Sequence, residues 1–235
     1  MRAYPIRRRG LALPAILLLA ACSGDPADNA APGDAEPVDA QAFGTLFANG
    51  FDTAKKTEAE PDDSQLGYTP DPGIRRRVAR DLADNHRRLF SLDFALADAE
   101  DFFRSGAAGD IADRKLEALG LPTDSLAGAN VLLFGLAWEL ANRETLTIDG
   151  QKGLLAQVNG QLNDGPMKRK GDAERQEQAE IRLQTAALWL EEERLRRNDP
   201  ERMQQLSDAV QRDMKRIGGN DMRAHDLGEN GLVER

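Results

Sequence analysis

Cysteine is almost missing from this chain: Cys22 is the only one in 235 residues. One thiol cannot close an intrachain disulfide or build a multi-thiolate zinc site. Histidine is nearly as scarce, with two residues, His86 and His225, far apart in sequence. Neither has a second histidine three to five positions away, so the helical zinc spacing is absent. Aromatic side chains make up 5% of the chain. They suffice for a few core anchors but not for a surface of stacking platforms. Long apolar runs are lacking too. The stretch from Leu11 to Leu19 is broken by Pro14, and Val131 to Trp138 is bracketed by Asn130 and Glu139. Both fall well short of the roughly 20 residues a spanning helix needs.

The first 22 residues fall into the three zones of a secretory signal. Arg2, Arg7, Arg8 and Arg9 form a basic start, the apolar stretch follows, and small residues lead into a cysteine. The tetrapeptide Leu19-Ala20-Ala21-Cys22 resembles the lipobox of bacterial lipoproteins. That resemblance implies acylation of the Cys22 thiol, cleavage before it, and acylation of the new amine. One acyl chain holds a protein at a membrane only marginally, whereas two or more hold it stably. The alternative is an ordinary signal peptide with a chance cysteine at its cleavage site. With Cys22 lipidated, the remaining chain has no thiol for catalysis or metal binding. Ser23 follows the cysteine, where lipoproteins kept at the inner membrane often carry Asp. By the same resemblance the expected location is the cell envelope, with the outer membrane facing the periplasm favoured over the inner.

Loss of residues 1–21 removes four of the 31 basic side chains and none of the 40 acidic ones, leaving a net charge of −13. Such a surface repels nucleic acid, so no nucleic-acid partner is expected. Residues 22–41 are rich in Ala, Pro, Asp, Gly and Glu with one valine, Val38. They cannot bury enough apolar surface to offset the entropy of ordering, and read as a spacer. Residues 42–68 form a linker in which Phe43, Leu46, Phe47 and Phe51 make an apolar island, a candidate short helix. Residues 69–235 are long enough for one domain with a substantial core.

Helical periodicity dominates that domain, and the expected fold is all-α, a single bundle of about six to eight helices. Ile74, Val78, Leu82 and Leu89 share a face. Leu92, Ala95, Leu96, Ala99, Phe102 and Phe103 repeat at three and four residues and predict a second helix. Asp110 is placed as the cap of a third, closed by Gly120 and Pro122. The run Val131–Trp138 is apolar on every side, as expected of a central helix. Asp149 is placed as the cap of the next, bearing Leu154, Leu155, Val158 and Leu162. A charged helix from Asp172 to Arg197 turns Ile181, Leu183, Leu188, Leu190 and Leu195 inward. Pro200 opens a last long helix striped by Met203, Leu206, Val210, Met214 and Ile217. No strand or hairpin pattern is evident.

Chemistry is harder to find. Ser91, Ser105, Ser125 and Ser207 lack the Gly-x-Ser-x-Gly setting of a nucleophile, and Ser91 and Ser125 suit helix caps instead. No glycine-rich phosphate loop or calcium loop occurs, and no cofactor is implied. Glu139 ends the central apolar run. Burial would raise its pKa and make it a candidate acid; the simpler reading pairs it with Arg143 at i+4. Arg75, Arg76, Arg77, Arg87 and Arg88 form a basic patch on an acidic protein. They are either a solvated face or a docking site for an acidic partner. Glu191-Glu192-Glu193 reads as exposed helix surface, and Trp138 and Trp189 as core.

Leu66-Gly67-Tyr68-Thr69-Pro70, the Arg75–Arg80 helix, the Gly120-Leu121 turn, Trp138, the Gln176–Gln184 segment and the tail residues Met222, Leu227 and Gly231 together resemble an uncharacterised family of exported bacterial proteins with a domain of unknown function. The family often carries an aromatic after the final glycine, where this chain has Leu232. The resemblance implies a secreted helical domain from about residue 66 onward and no particular activity. Three functions are carried forward. One is a non-enzymatic envelope lipoprotein that binds a protein partner or serves a structural role. Another is a periplasmic inhibitor or immunity protein directed at an enzyme or toxin. The last is a carboxylate-dependent cell-wall hydrolase.

Overall fold

Asp71-Pro72 opens the first helix by two local devices. The Asp71 Oδ1 accepts the Gly73 amide at 2.6 Å, and Pro72 occupies a position whose N–H would have no helical partner. The computed structural model describes residues 66–235. Cys22, the spacer and the Phe43–Phe51 island lie outside the described residues. Helix α1 spans Pro72–Leu89 and buries Ile74, Val78, Leu82 and Leu89 as the spacing predicts. Ahead of it, Leu66 and Tyr68 already belong to the core. The Tyr68 amide donates to Asp124 O at 3.0 Å and the Leu126 amide to Leu66 O at 3.1 Å. The folded body therefore starts at least three residues before the expected Thr69.

The second expected helix is mostly absent. Only Ala99–Arg104, helix α2, is helical, with Asp98 as its cap accepting the Asp101 amide at 2.8 Å. Phe90 to Asp98 is irregular, although Leu92 is buried. Its amides donate to distant carboxylates instead of forming a helical ladder: Ser91 N to Asp213, Ala95 N and Leu96 N to Glu192. Tertiary acceptors have overridden an apolar period of three and four. Ser91 is thus a loop residue and caps nothing.

Helix α3 spans Ala107–Leu119 with Gly106 at its N-cap, so Asp110 sits in the first turn and is not the cap. Gly120, at φ 67°, closes it in the left-handed conformation glycine favours. Helix α4, Leu126–Asn142, is capped by Ser125, whose Oγ accepts the Gly128 amide at 3.3 Å. Every residue of α4 except Glu139 and Asn142 is buried, so this is the central helix. Helix α5, Ile148–Asp164, is capped by Thr147 and not by Asp149, which lies in its first turn.

After a short 3-10 turn at Pro166–Arg169, helix α6 runs Asp172–Arg196 and helix α7 runs Pro200–Gly218, capped by Asp199. On α6, Ile181, Leu183 and Leu188 are buried as expected, whereas Leu195 is 39% exposed. Helices α4 and α6 pack against each other and form the middle of the bundle. Helices α1 and α3 lie against α6, α5 lies against α4, and α7 touches both.

The tail departs from the all-helical pattern. A 3-10 turn at Met222–Ala224 leads into an antiparallel hairpin of β1, His225–Gly228, and β2, Gly231–Glu234. Each strand has four residues, too few to show a period-two pattern above chance. The body holds the hairpin in place. Gln157 of α5 donates to Leu232 O at 3.0 Å and accepts Leu232 N at 2.8 Å, and the Trp138 indole donates to His225 O at 2.9 Å. Gly153 lets α5 approach closely, since a Cβ there would stand 2.2 Å from Gly228 O and 2.5 Å from Gly231 N. Among the described residues the architecture is an all-α bundle of seven helices with this one small hairpin.

Candidate functional site

The helix period separates the arginines of α1. Arg75 turns inward: its Nε donates to Glu180 Oε1 at 2.7 Å, and its two terminal nitrogens grip both oxygens of Asp113 at 2.7 and 3.1 Å. Bidentate Arg–carboxylate geometry of this kind is the strong form of the interaction. The Asp113 hydrogen bonds, followed by those to Glu180, push the Arg75 guanidinium above its ordinary pKa. Gln184 completes the cluster, donating to Glu180 Oε2 at 3.2 Å and to Arg75 O at 3.3 Å. Tyr68 lies beside it, its phenol raised first by burial and then by the Glu180 charge.

Arg77 pairs with Glu177 at 2.8 Å. Both Arg75 and Arg77 therefore belong to helix–helix contacts and leave the expected docking patch. Arg76, Arg87 and Arg88 are exposed, and Arg88 donates to Asn85 Oδ1 at 3.0 Å. Arg80 is exposed as well. Spacings of four and seven residues put Arg76, Arg80 and Arg87 on one face of α1, a stripe about 16 Å long at 1.5 Å per residue.

Buried acids do architectural work. Glu192, expected on the surface, is 0% exposed. It accepts Ala95 N and Leu96 N at 2.9 and 2.8 Å and pairs with Arg196 at 2.9 Å. Asp213, equally buried, accepts Ser91 N through both oxygens at 2.9 and 3.0 Å and pairs with Arg216 at 3.1 Å. Burial raises its pKa, partly offset by the bonds from Ser91 and Arg216. Arg182 is buried between α6 and α4, donating to Asn130 Oδ1 at 2.9 Å and to Gln178 O at 2.7 Å. Burial lowers its guanidinium to about 10. Nothing in the charge pattern of α6 distinguished these inward polar residues from the outward ones.

Glu139 is partly buried, and its Oε1 accepts the Leu146 amide at 2.7 Å. The expected pair with Arg143 does not form among the described residues. Arg143 instead caps α4 at φ 58°, and its Nη1 reaches Gln204 Oε1 at 3.5 Å. It is the single non-glycine residue with positive φ among those described. A cleft of about 450 Å³ opens here between α3, α4, α6 and the start of α7. Its floor is Leu136, Leu140, Leu190 and Met203, and Lys115, Glu139, Arg143, Glu144 and Glu193 are among its charged lining.

The histidines are engaged locally. His86 Nδ1 lies 2.6 Å from Ala83 O, and its ring meets Phe94 edge-on. His225 Nδ1 lies 2.7 Å from Asp221 O. Ser207 is buried, donating to Ala141 O at 3.0 Å and accepting from Arg223 at 3.0 Å. Trp138 and Trp189 are core residues, as expected. Among the described residues no group of three or more His, Cys, Asp or Glu could hold a metal ion. None of the described helices is long and apolar enough to cross a membrane. No protein-family model, curated protein or solved structure matches the chain.

Proposed function

We propose that this chain is a bacterial envelope lipoprotein, anchored by lipid on Cys22, whose helical body acts by binding a protein partner without catalysing a reaction. The observation that carries the reading is the order of segments at the start of the sequence. A basic stretch, a short apolar stretch and Leu19-Ala20-Ala21-Cys22 come first, then a polar spacer, then the helical body. Ser23 after the cysteine favours the outer membrane, facing the periplasm. In the body, the buried Glu192 and Asp213, and Arg75 with its buried partner Glu180, are occupied with holding backbone and helices together. The exposed Arg76–Arg80–Arg87 stripe is a surface for an acidic partner. Guanidinium groups there present planar forks suited to carboxylates.

The test is Cys22→Ser in the native host, with incorporation of a fatty-acid analogue and membrane fractionation as readouts. The substitution is expected to abolish labelling and release the protein from membranes. Unchanged labelling would refute the anchor. Photocrosslinking from position 80 in the native envelope is expected to capture a defined protein. A crosslinker-independent smear, or no adduct, removes the partner half of the reading.

A second reading has its own support. The net charge of −13 after cleavage suits an inhibitor or immunity protein that meets a basic enzyme through long-range attraction. In that case the crosslinked partner would be a basic hydrolase or toxin.

A further inference from the structure

The cleft at the end of α4 carries two unmet opposite charges over an apolar floor. Lys115 of α3 and Glu193 of α6 are both partly buried and both line it. Neither makes an ion pair or a side-chain hydrogen bond with any described residue, whereas Arg75, Arg77 and Arg196 elsewhere in the bundle are all paired. A charge that loses part of its hydration at a cleft wall without gaining a counter-charge carries a modest cost. Two such groups of opposite sign facing one volume, and not each other, lower that cost when something carrying both charges sits between them. The floor of Leu136, Leu140, Leu190 and Met203 calls for an apolar body on the same molecule. At about 450 Å³ the space falls in the range of small-molecule sites.

A third feature marks the same place. Arg143, at the rim, is held at φ 58°, a conformation that costs an ordinary L-residue roughly 1–2 kcal/mol. Backbone strain of this kind gathers at binding sites. Arg143 and Glu144, both exposed, also line the cleft and add one charge of each sign.

The geometry points to a binding site for a small zwitterion with an apolar side chain, of the size of a dipeptide. Its carboxylate would meet Lys115 and Arg143, its ammonium Glu193 and Glu144, and its aliphatic part the leucine floor. The inference does not depend on the lipid anchor or on the proposed protein partner.

Leucyl-leucine is the probe, titrated into the isotope-labelled full chain by NMR alongside N-acetyl-leucyl-leucine, which lacks the ammonium, and leucyl-leucinamide, which lacks the carboxylate. The free dipeptide is expected to shift the amides of residues around Leu136–Thr145 and Leu190–Glu193. Each blocked analogue is expected to bind at least about tenfold more weakly, as loss of one charged hydrogen-bonded contact implies. The variants then sort the ends. Lys115→Met should weaken the free dipeptide and leave the already weak amide unchanged. Glu193→Gln should weaken the free dipeptide and leave the acetylated form unchanged. The analogue series alone, run on the unaltered chain, decides the matter should a variant fold poorly. Shifts elsewhere, no shifts, or equal affinity for all three ligands overturn the assignment.

Discussion

Replacing Glu192 by alanine removes one carboxylate that holds three things at once. It accepts Ala95 N and Leu96 N and neutralises Arg196, whose side chain is only 4% exposed. Arg196 also donates to Asp93 O, so acid and base together fasten the Phe90–Asp98 segment to α6. Breaking one partner of a buried pair costs about 3–5 kcal/mol, because the surviving charge stays buried without compensation. The two freed amides are part-buried and recover water only in part, and the total loss is set at about 3–4 kcal/mol. At about 2–4 °C per kcal/mol for a body of this size, the melting temperature falls by roughly 6–16 °C. Urea denaturation of the parent, Glu192→Ala and Glu191→Ala measures the effect, because Glu191 makes only an exposed pair with Arg194. That exposed pair is expected to contribute about 0.5 kcal/mol or less. Amide exchange should quicken at Ala95 and Leu96 in Glu192→Ala alone. The double replacement Glu192→Met with Arg196→Met should recover part of the loss, since neither charge then remains. Equal losses for Glu192→Ala and Glu191→Ala would show the reasoning to be wrong.

Three further outcomes follow from the same geometry. Arg75→Ala leaves the buried Glu180 carboxylate without its cation and should cost about 3 kcal/mol, against about 0.5 kcal/mol or less for exposed Arg76→Ala; chemical denaturation compares them, and equal costs would contradict the split of the arginine run. Gly153→Ala drives a Cβ into the hairpin backbone at Gly228 and Gly231 and should cost about 1–3 kcal/mol, with faster amide exchange at Leu232 and Val233; unchanged exchange there would remove the close approach. Asp213 has its folded pKa raised by burial above the ordinary 3.8, so the folded state binds its proton more tightly and the contribution to stability declines as pH climbs from 3.8 through the raised value. The stability difference between the parent and Asp213→Asn should shrink across that window in denaturation series from about pH 3 to about pH 7, and a flat or growing difference refutes it.

Much of the bundle was legible because its helices obey simple local rules. Ser125 and Asp199-Pro200 open helices with a side-chain cap or a proline, and the all-round apolar run of α4 leaves only a central position for it. Errors fall where local and distant hydrogen-bond partners compete. Leu92 to Phe103 has a helical period, yet Glu192, Arg196 and Asp213 claim the backbone of its first half. Asp110 and Asp149 are sound cap types, but Gly106 and Thr147 stand four and two residues earlier and take the role. The four-residue strands β1 and β2 are set by Trp138, Gly153 and Gln157, contacts that no window of sequence contains. As for the site, the arginine run was visible and its division was not. The cleft joins Lys115, Arg143 and Glu193 from three separate segments and left no local signature.

Helix α6 explains why an acidic chain would bury so many polar groups. Gln176, Glu180, Arg182, Gln184, Thr185, Glu192 and Arg196 are all buried on it, and their bonds run to different neighbours. Gln176 exchanges two bonds with the Asp71 backbone at 2.8 Å each, Glu180 takes Arg75, Arg182 reaches Asn130 of α4, and Glu192 takes the Phe90–Asp98 segment. Apolar packing alone is less selective of register, since cores of about the right volume lose uniqueness before they lose stability. Four polar latches, at Gln176, Glu180, Arg182 and Glu192, are more selective, because a slip of one residue takes each from its partner. Such pairs add little net stability over well-packed apolar substitutes; what they supply is one register. A set of apolar replacements at Glu180, Arg75 and Gln184 is therefore expected to keep or raise the melting temperature while broadening the NMR lines of α6. Sharp lines together with higher stability would show that register is set by apolar shape, and that the polar latches are redundant.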